Sequence, residues 1–338
     1  MKLFHSLLYP LLGGLFCLSC SDDEQDSGTK QPTTAGEVTF GVDLTGFSTR
    51  VTQDGSSWND GDKIGTYVLD MKTLEPVTEA ANVPYVCSEE GASVSFTSTT
   101  PLKVQNDGTP VKFVAYYPYN ADVRNFNYPV QLAAQERGST ACDLLYAATK
   151  EEYTYSPENE PHISLNFTHR LAKVILKFVN MEKEPLEVSD VRIEGMQTAA
   201  SFNIQTDVLT VDESSVATIN PYHNATTGFY EAIILPSALT DSYKVSFVLD
   251  DREKEWIFTN LDIALPQFHK GYSYTFALYI DDSGFVEMGR LENVEGGNSS
   301  APWEDGSSED GTAEGDKTPV SGLSLIHISE PTRHAQIS

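Results

Sequence analysis

Apolar residues recur at every second position through most of this chain, from residue 37 to residue 290. Gly, Pro, Asn and Asp residues bound four clear runs, at residues 38–45, 172–179, 243–249 and 272–280. No stretch combines a helical period with a cap and a terminal glycine, whereas short alternating runs between turn residues are typical of strands. The sequence therefore predicts an all-β protein made of sandwiches. The polar alternates, such as Lys173 and Lys177, are predicted to face water.

The length of 338 residues allows one large domain or two ordinary ones. A polar segment at residues 180–185, Asn-Met-Glu-Lys-Glu-Pro, separates two strand-rich blocks of comparable size. A change of composition of this kind favours a domain boundary. We therefore predict an N-terminal β-sandwich domain over residues 37–180 and a C-terminal β-sandwich domain over residues 181–290.

The first twenty residues have the features of an export signal. Lys2 is followed by an apolar run at residues 3–16, which proline and glycine interrupt and which is too short to span a membrane. The next residues, Cys-Leu-Ser-Cys at 17–20, resemble the bacterial lipoprotein cleavage box, although that box usually has leucine at the position of the first cysteine. We predict a signal peptide over residues 1–19 and lipidation of Cys20, with acyl chains such as palmitate. An ordinary secretory signal with an incidental cysteine is the alternative.

Residues 20–36 are polar and rich in Thr, Gly and Pro, which predicts a flexible acidic tether. The serine and acidic cluster at residues 21–26 resembles the signal that sends lipoproteins of certain diderm anaerobes to the outer cell surface. A solvated charge run is the alternative. The first interpretation predicts an outer-membrane, lipid-anchored and surface-exposed protein.

The C-terminal part of the sequence changes composition twice. Residues 291–322 form an acidic tail rich in Gly and Ser, and from residue 296 this tail is expected to be disordered or a linker. Residues 323–338 then resemble the conceptual translation of a sequencing adapter. We exclude them from the fold as not native.

Charge and motif content exclude several functional classes. The chain has 22 Lys and Arg against 49 Asp and Glu residues, a formal net charge of −27. Such an excess of carboxylates repels phosphate backbones, so nucleic acid is excluded as a partner. Four cysteines do not predict structural zinc, and the common motifs of hydrolases, metalloproteases and nucleotide-binding enzymes are missing. We expect a protein that is not an enzyme and needs no metal and no cofactor.

Two polar features allow both a structural and a functional interpretation. Asn-Asp-Gly-Asp at residues 59–62 offers oxygens for calcium, but the other EF-hand positions are missing, so a turn into a strand over residues 63–69 is favoured. His169 has no second histidine at ligand spacing. A hydrogen-bonded histidine at the end of a strand is therefore favoured over a catalytic one.

Tyrosines and cysteines leave two further alternatives. The tyrosines of Tyr-Tyr-Pro-Tyr at residues 116–119 offer a sugar-stacking platform, but strand propensity and core packing explain them more simply. Cys87 and Cys142 form a candidate disulfide, because export delivers them to an oxidising compartment. Two buried thiols are an equal alternative.

Seven short strings occur in the order found in one protein family. They are Trp-Asn-Asp-Gly-Asp-Lys-Ile-Gly at residues 58–65, Val-Ala-Tyr-Tyr-Pro-Tyr at 114–119, Asp-Leu-Leu-Tyr-Ala at 143–147, Leu-Asn-Phe-Thr-His-Arg-Leu-Ala-Lys at 165–173, Ile-Ile-Leu-Pro at 233–236, Gly-Tyr-Ser-Tyr at 271–274 and Pro-Trp at 302–303. In these features the chain resembles the fimbrillin family of type V pilus subunits and related surface lipoproteins. The resemblance implies two tandem transthyretin-like β-sandwich domains, a lipidated precursor, and assembly with other fimbrillin subunits by strand exchange.

The first alternating run has the pattern that strand exchange requires. Val38, Phe40, Val42 and Leu44 share one face, so a sandwich that loses this strand exposes an apolar groove and unpaired backbone groups. Arg50 follows in a Thr-Arg pair that resembles the place where shaft subunits are cut by an arginine-specific protease. It is therefore a candidate processing site, and a solvent-facing loop arginine is the alternative.

The sequence thus predicts a lipid-anchored, non-catalytic surface protein that acts as a pilus subunit or an adhesion component, located in a fimbrium if it polymerises. The alternative is a monomeric surface lipoprotein that binds glycans or host proteins through an aromatic or loop platform.

Overall fold

The computed structural model describes residues 35–43, 57–78, 81–91, 93–135, 138–238, 243–249, 254–259, 267–280, 286–292 and 304–305. Strands provide nearly all of the regular structure in these ranges, together with one short 3₁₀ helix, Ser139–Cys142. The prediction of an all-β fold is confirmed. Among the described residues, no helix has the length and apolar character needed to cross a membrane.

The described strands fall into an earlier and a later group. The earlier group is β1 (Gly36–Glu37), β2 (Thr39–Asp43), β3 (Lys63–Asp70), β4 (Val83–Cys87), β5 (Ser93–Thr97), β6 (Lys103–Val104), β7 (Val111–Tyr117), β8 (Asn127–Gln131), β9 (Leu145–Ala148), β10 (His162–Leu165) and β11 (Thr168–His169). The later group is β12 (Ala172–Asn180), β13 (Val188–Glu194), β14 (Ala199–Asn203), β15 (Val208–Val211), β16 (Tyr222–Asn224), β17 (Phe229–Ile234), β18 (Ser237–Ala238), β19 (Lys244–Leu249), β20 (Lys254–Thr259), β21 (Gln267–Phe268), β22 (Tyr272–Ile280), β23 (Val286–Glu292) and β24 (Glu304–Asp305).

Eight strands of the earlier group form one curled sheet in the order β10-β2-β5-β4-β3-β7-β9-β11. Its edge strands β10 and β11 are consecutive in the chain, with only Asn166 and Phe167 between them. Because three Cα steps span about 10 Å at most, the sheet has to curve until its two edges approach each other. The inward side chains make up the first core, whose largest fully buried members are Phe40, Trp58, Tyr85, Phe96, Phe113 and Phe167.

The later strands form a sandwich of two sheets. One sheet has the order β16-β17-β12-β22-β23, with β24 also paired to β22, and the other has the order β13-β19-β20. The second core fills the space between them, and its fully buried members include Phe247, Phe268, Tyr274 and Phe276. β12 and β22 run parallel through the middle of the larger sheet, from Lys173 opposite Ser273 to Asn180 opposite Ile280.

A third apolar cluster, the junction core, joins the two groups of strands. Tyr67, Val114 and Tyr146 on the outer face of the curled sheet pack into the same cluster as Phe202 of β14 and Ile233 of β17. In addition, β8 of the earlier group pairs with β14 of the later group, with Gln131 opposite Ala199 and Asn127 opposite Asn203. The outer face of this sheet is therefore buried where the later strands cover it.

The predicted domain boundary at residue 180 falls inside the second group of strands. Residues 180–185 begin the connection from β12 in one sheet of this sandwich to β13 in the other, with a tight turn in which the Asn180 amide donates to the Glu184 carbonyl at 2.8 Å. The change from the curled sheet to the later sandwich comes near residue 171, because β12 pairs with β17 and β22 of the later group. The division of the chain into two domains remains our proposal.

The predicted solvent face and acidic tail also differ from the structure. Lys173 is only 8% exposed, and Ser273 and Thr275 of β22 are buried too, because both faces of these central strands are covered. β24 lies inside the tail from residue 296, which is predicted to be disordered or a linker. Its backbone pairs with β22 at Tyr272 and Ser273, and this pairing makes it a strand. Backbone pairing of this kind does not require an apolar sequence.

Candidate functional site

The first long strand, β2, lies inside the curled sheet rather than at its edge. It pairs antiparallel with β5, with Phe40 opposite Phe96, and parallel with β10, with Phe40 also opposite Ile163. Both backbone edges of β2 are therefore occupied along its length. A strand in this position holds its neighbours together.

The inward face of this strand is completely buried. Val38, Phe40 and Val42 are each at most 1% exposed, which confirms the predicted alternation over the described part of the run. The Phe40 ring makes edge contacts with Tyr85 at 4.8 Å and with Phe113 at 5.9 Å between centroids. Burying a side chain of this size contributes about 2 kcal/mol, so the three together supply a large part of the stability of this sheet.

Tyr85 completes the hydrogen bonding where β1 gives way to β2. Its hydroxyl donates to the Val38 carbonyl at 3.0 Å and accepts a hydrogen bond from the Leu102 amide at 2.8 Å. Burial raises the pKa of Tyr85 to about 12, although the Leu102 hydrogen bond acts in the opposite direction. No sequence pattern predicts this role, because an inward tyrosine on β4 looks like an ordinary core residue.

We expect the protein to lose stability steeply in alkaline solution. Burial raises the pKa to about 12 for four tyrosines, namely Tyr67, Tyr85, Tyr128 and Tyr146. An unfolded tyrosine loses its proton near pH 10, so the contribution of these groups is intact below about pH 10 and is lost as the pH rises to about 12. Unfolding, followed by circular dichroism, is expected at the same pH as the rise in absorbance from these ionised tyrosines. If all the tyrosines lose their protons near pH 10 while the protein stays folded, this expectation is wrong.

On the outward face of β2, the exposed side chain of His162 lies over Gly41. A Cβ atom there would lie 2.6 Å from Nε2 of His162, whose ring covers the strand from β10. The same ring approaches the Thr39 hydroxyl, with Nδ1 at 3.0 Å from Oγ1.

Comparison with known proteins assigns the chain to a family. The sequence model of the fimbrillin-like family matches residues 49–303, well over half of the chain. This chain belongs to the fimbrillin-like family. Membership of this family implies a surface or fimbrial location and assembly with other pilus subunits.

Solved structures share the fold of this fimbrillin-like protein. A candidate cell adhesion protein from Bacteroides uniformis ATCC 8492 is 23% identical, with a TM-score of 0.62 over 78% of this chain and 99% of its own. A candidate cell adhesion protein from Bacteroides ovatus ATCC 8483 is 15% identical, with a TM-score of 0.57 over 79% of this chain and 100% of its own. No curated protein matches the chain in sequence.

Two of the predicted site residues, Cys20 and Arg50, lie outside the described residues of this fimbrillin-like protein. The candidate disulfide is not formed, since no bond joins Cys87 and Cys142. Cys87 ends β4 in the first core and its thiol donates to the Glu89 carbonyl, whereas Cys142 packs beside the junction core. Different cores hold the two side chains, and spacing along the sequence does not reveal this.

The family string around His169 forms a buried polar contact at the end of the curled sheet. His169 Nδ1 lies 2.8 Å from an oxygen of Asp143, and the two side chains are 0% and 6% exposed. The prediction of a hydrogen-bonded histidine at a strand end is confirmed. Because the pair is closed to solvent, a substrate cannot reach it, and a structural role follows.

The other early motif residues are also structural. Residues 59–62 form the predicted turn into β3, in which the Asn59 amide donates to Asp62 at 2.7 Å. Tyr116 is fully buried and Tyr117 is packed beside the first core, so core packing explains both, as expected. Tyr119 packs against the junction core and in addition lines a surface cleft.

Gln135 makes a connection between the two groups of strands that the sequence analysis missed. Its side-chain nitrogen donates to the carbonyls of Leu132 and Ile233 at 2.7 Å, and its oxygen accepts from the Ile233 amide at 2.7 Å. The amide side chain therefore pairs with β17 as a strand would. No local pattern distinguishes such a glutamine from an exposed loop residue, since its partner is 98 residues away.

Proposed function

We propose that this fimbrillin-like protein is a non-catalytic pilus subunit or adhesion component that accepts a strand of another fimbrillin subunit in place of β2. The position of β2 carries the proposal: the strand lies between β5 and β10, and its inward side chains are fully buried. Removing it would leave two unpaired strand edges on either side of an empty apolar groove. A strand with the same alternation satisfies both the groove and the edges.

The proposed cleavage after Arg50 fits the connectivity of this sheet. The cleavage point lies between the end of β2 at Asp43 and the start of β3 at Lys63. A cut there detaches β1 and β2 from the rest of the chain while every later strand stays connected. Only non-covalent contacts then hold β2, so an incoming strand can replace it.

We also propose that Cys20 carries a lipid anchor and that residues 20–36 tether the protein to the outer face of the outer membrane. Cys20 precedes β2 in the sequence, so cleavage after Arg50 removes the anchor and the strand in the same fragment. An uncut subunit therefore stays at the membrane, and a cut subunit is free to join a filament. The surface or fimbrial location implied by the family supports this arrangement.

The decisive variant is Arg50→Ala. Wild-type protein treated with an arginine-specific protease is expected to form ladders in unboiled gels and filaments in electron micrographs, whereas Arg50→Ala is expected to stay monomeric. The matched control is Arg192→Ala on β13, which should assemble normally. In cells fed a palmitate analogue, uncut protein should carry the label and Cys20→Ala should not. Normal assembly of Arg50→Ala would refute release by cleavage.

A synthetic strand tests the groove itself. A peptide with the sequence of residues 36–45 is expected to block assembly of the cut protein, because it occupies the same groove as the incoming strand. The same peptide with Phe40→Asp is the control, since a carboxylate at the most buried position cannot enter the first core. If wild-type protein remains monomeric under all these conditions, the alternative of a monomeric surface lipoprotein that binds glycans or host proteins is favoured.

A further inference from the structure

A surface cleft with a volume of about 470 Å³ lies between two loops beside the curled sheet. One loop follows β3 and contributes Asn82, and the other follows β7 and contributes Tyr119 and Arg124. The volume falls within the range of about 300–1,000 Å³ that is typical of small-molecule sites. The strand-exchange function does not use this cleft.

Aromatic rings form the apolar part of the cleft. Tyr67 of β3 is 3% exposed, and its ring lies 4.7 Å from that of Phe126. Phe126 has a φ of 63°, and Asn125 before it has a φ of 51°. Bulky residues rarely adopt this left-handed conformation, so the surrounding contacts must hold the Phe126 ring against Tyr67. Tyr119 adds a third, partly exposed ring.

Hydrogen bonds hold the two loops together before any ligand arrives. The Asn82 side-chain nitrogen donates to the Asn120 carbonyl at 2.9 Å, and its oxygen accepts from the Tyr116 hydroxyl at 2.6 Å. Tyr116 is fully buried, so it fixes the loop to the sheet. A cleft with walls held in this way loses little conformational freedom on binding.

Arg124 gives the cleft its charge. Of the residues that line it, all within the described ranges, Arg124 alone is formally charged, so the charge of the cleft is opposite in sign to the net charge of −27 by which the chain as a whole repels anions. Its Nη1 donates to the carbonyls of Ala121 and Val123 at 2.6 and 2.9 Å. Among the described residues, both of these hydrogen bonds use Nη1. The N–H groups of Nε and Nη2 can therefore donate to a carboxylate.

We propose that this cleft binds a saccharide that carries a carboxylate, such as a uronic or sialic acid residue of a glycan. A sugar ring offers an apolar C–H face for stacking on Tyr119 and hydroxyl groups for the amide of the exposed Asn125. The carboxylate matches the guanidinium of Arg124, which binds such groups through two parallel hydrogen bonds. Aromatic, amide and cationic groups thus meet at one place, and each fits a different part of an acidic sugar.

The test compares matched acidic and neutral sugars. Saturation-transfer NMR and calorimetry on the full mature chain would use trigalacturonate, sialyllactose and a hyaluronan tetrasaccharide, with galactotriose and lactose as neutral counterparts. At least one acidic sugar is expected to bind. Arg124→Gln should weaken its binding about tenfold while neutral sugars are unaffected, because a charged hydrogen bond is lost. Tyr119→Ala should weaken binding about fivefold through lost stacking.

Arg192→Gln and Tyr222→Ala, outside the cleft, are the matched controls and should bind as the wild type does. Thermal unfolding of each variant separates loss of binding from loss of fold. The proposal is overturned if no acidic sugar binds, if neutral sugars bind equally well, or if Arg124→Gln has no effect. Because the cleft and β2 are separate, Arg124→Gln should still assemble with other subunits, so failure of one proposal leaves the other standing.

Discussion

Replacing Gly65 with alanine is expected to destabilise this protein by about 3 kcal/mol, more than most single substitutions do. Gly65 of β3 lies directly opposite Tyr116 of β7, and an added Cβ would lie 2.3 Å from the tyrosine ring. The ring cannot move aside cheaply, because its hydroxyl is hydrogen bonded to Asn82 and to the Asn120 carbonyl. Denaturant unfolding followed by tryptophan fluorescence measures the loss.

Gly91→Ala is the matched control for this substitution. A Cβ atom at Gly91 has its nearest contact at 3.6 Å, which is an ordinary van der Waals distance, so the stability should change by less than about 1 kcal/mol. Combining Gly65→Ala with Tyr116→Ala should cost less than the sum of the two single changes, since the double variant has no clash. Equal losses for Gly65→Ala and Gly91→Ala would show that the contact between Gly65 and Tyr116 does not limit stability.

The alternation of apolar residues predicted the elements of this fold better than their partners. It correctly gave the inward face of β2, because a strand with one buried face follows a strict period of two. It failed for Lys173 and for Ser273, which lie on central strands covered on both faces. Whether a second face is buried depends on which elements pack against it, and periodicity within one strand carries no such information.

Long-range pairing explains the rest of what sequence reasoning missed. Three contacts join segments that are far apart in the chain. They are the pairing of β8 with β14, the hydrogen bonds of the Gln135 side chain to Ile233, and the hydrogen bond of the Tyr85 hydroxyl to Val38. The predicted boundary at residue 180 rests on a polar segment that forms a turn. Such a segment looks the same in a sequence whether it joins two domains or two consecutive strands of one domain.

The surface cleft illustrates the same limit. The tyrosine string at residues 116–119 allows a sugar-stacking platform, but all three tyrosines pack in or against a core, and of the three Tyr119 alone lines the cleft. No pattern in the sequence connects Tyr119 with Asn82, because Asn82 belongs to a different loop. The fold brings these groups together by pairing β3 with both β4 and β7.

The second large effect is expected at the buried ion pair of the later sandwich. Lys173 Nζ lies 2.6 Å from Glu231 Oε2, with side chains 10% and 9% exposed, and Asn224 donates to the other carboxylate oxygen at 2.9 Å. Glu231→Gln is expected to cost about 3 kcal/mol, because it leaves the Lys173 ammonium buried without its counter-charge. Urea unfolding of the variant measures this loss.

The double variant Lys173→Met/Glu231→Gln distinguishes the pair from its parts. It removes both charges, fills a similar volume and keeps an acceptor for Asn224, so it should lie within about 1 kcal/mol of the wild type. The exposed pair of Lys103 and Glu37, whose side chains are 55% and 61% exposed, provides the control, and Glu37→Gln should cost less than about 1 kcal/mol. If the stability lost by the double variant instead equals the sum of the losses for Lys173→Met and Glu231→Gln alone, the two charges act independently. The stability that the double variant should regain relative to Glu231→Gln follows from burial, since water screens the exposed pair and cannot reach the buried one.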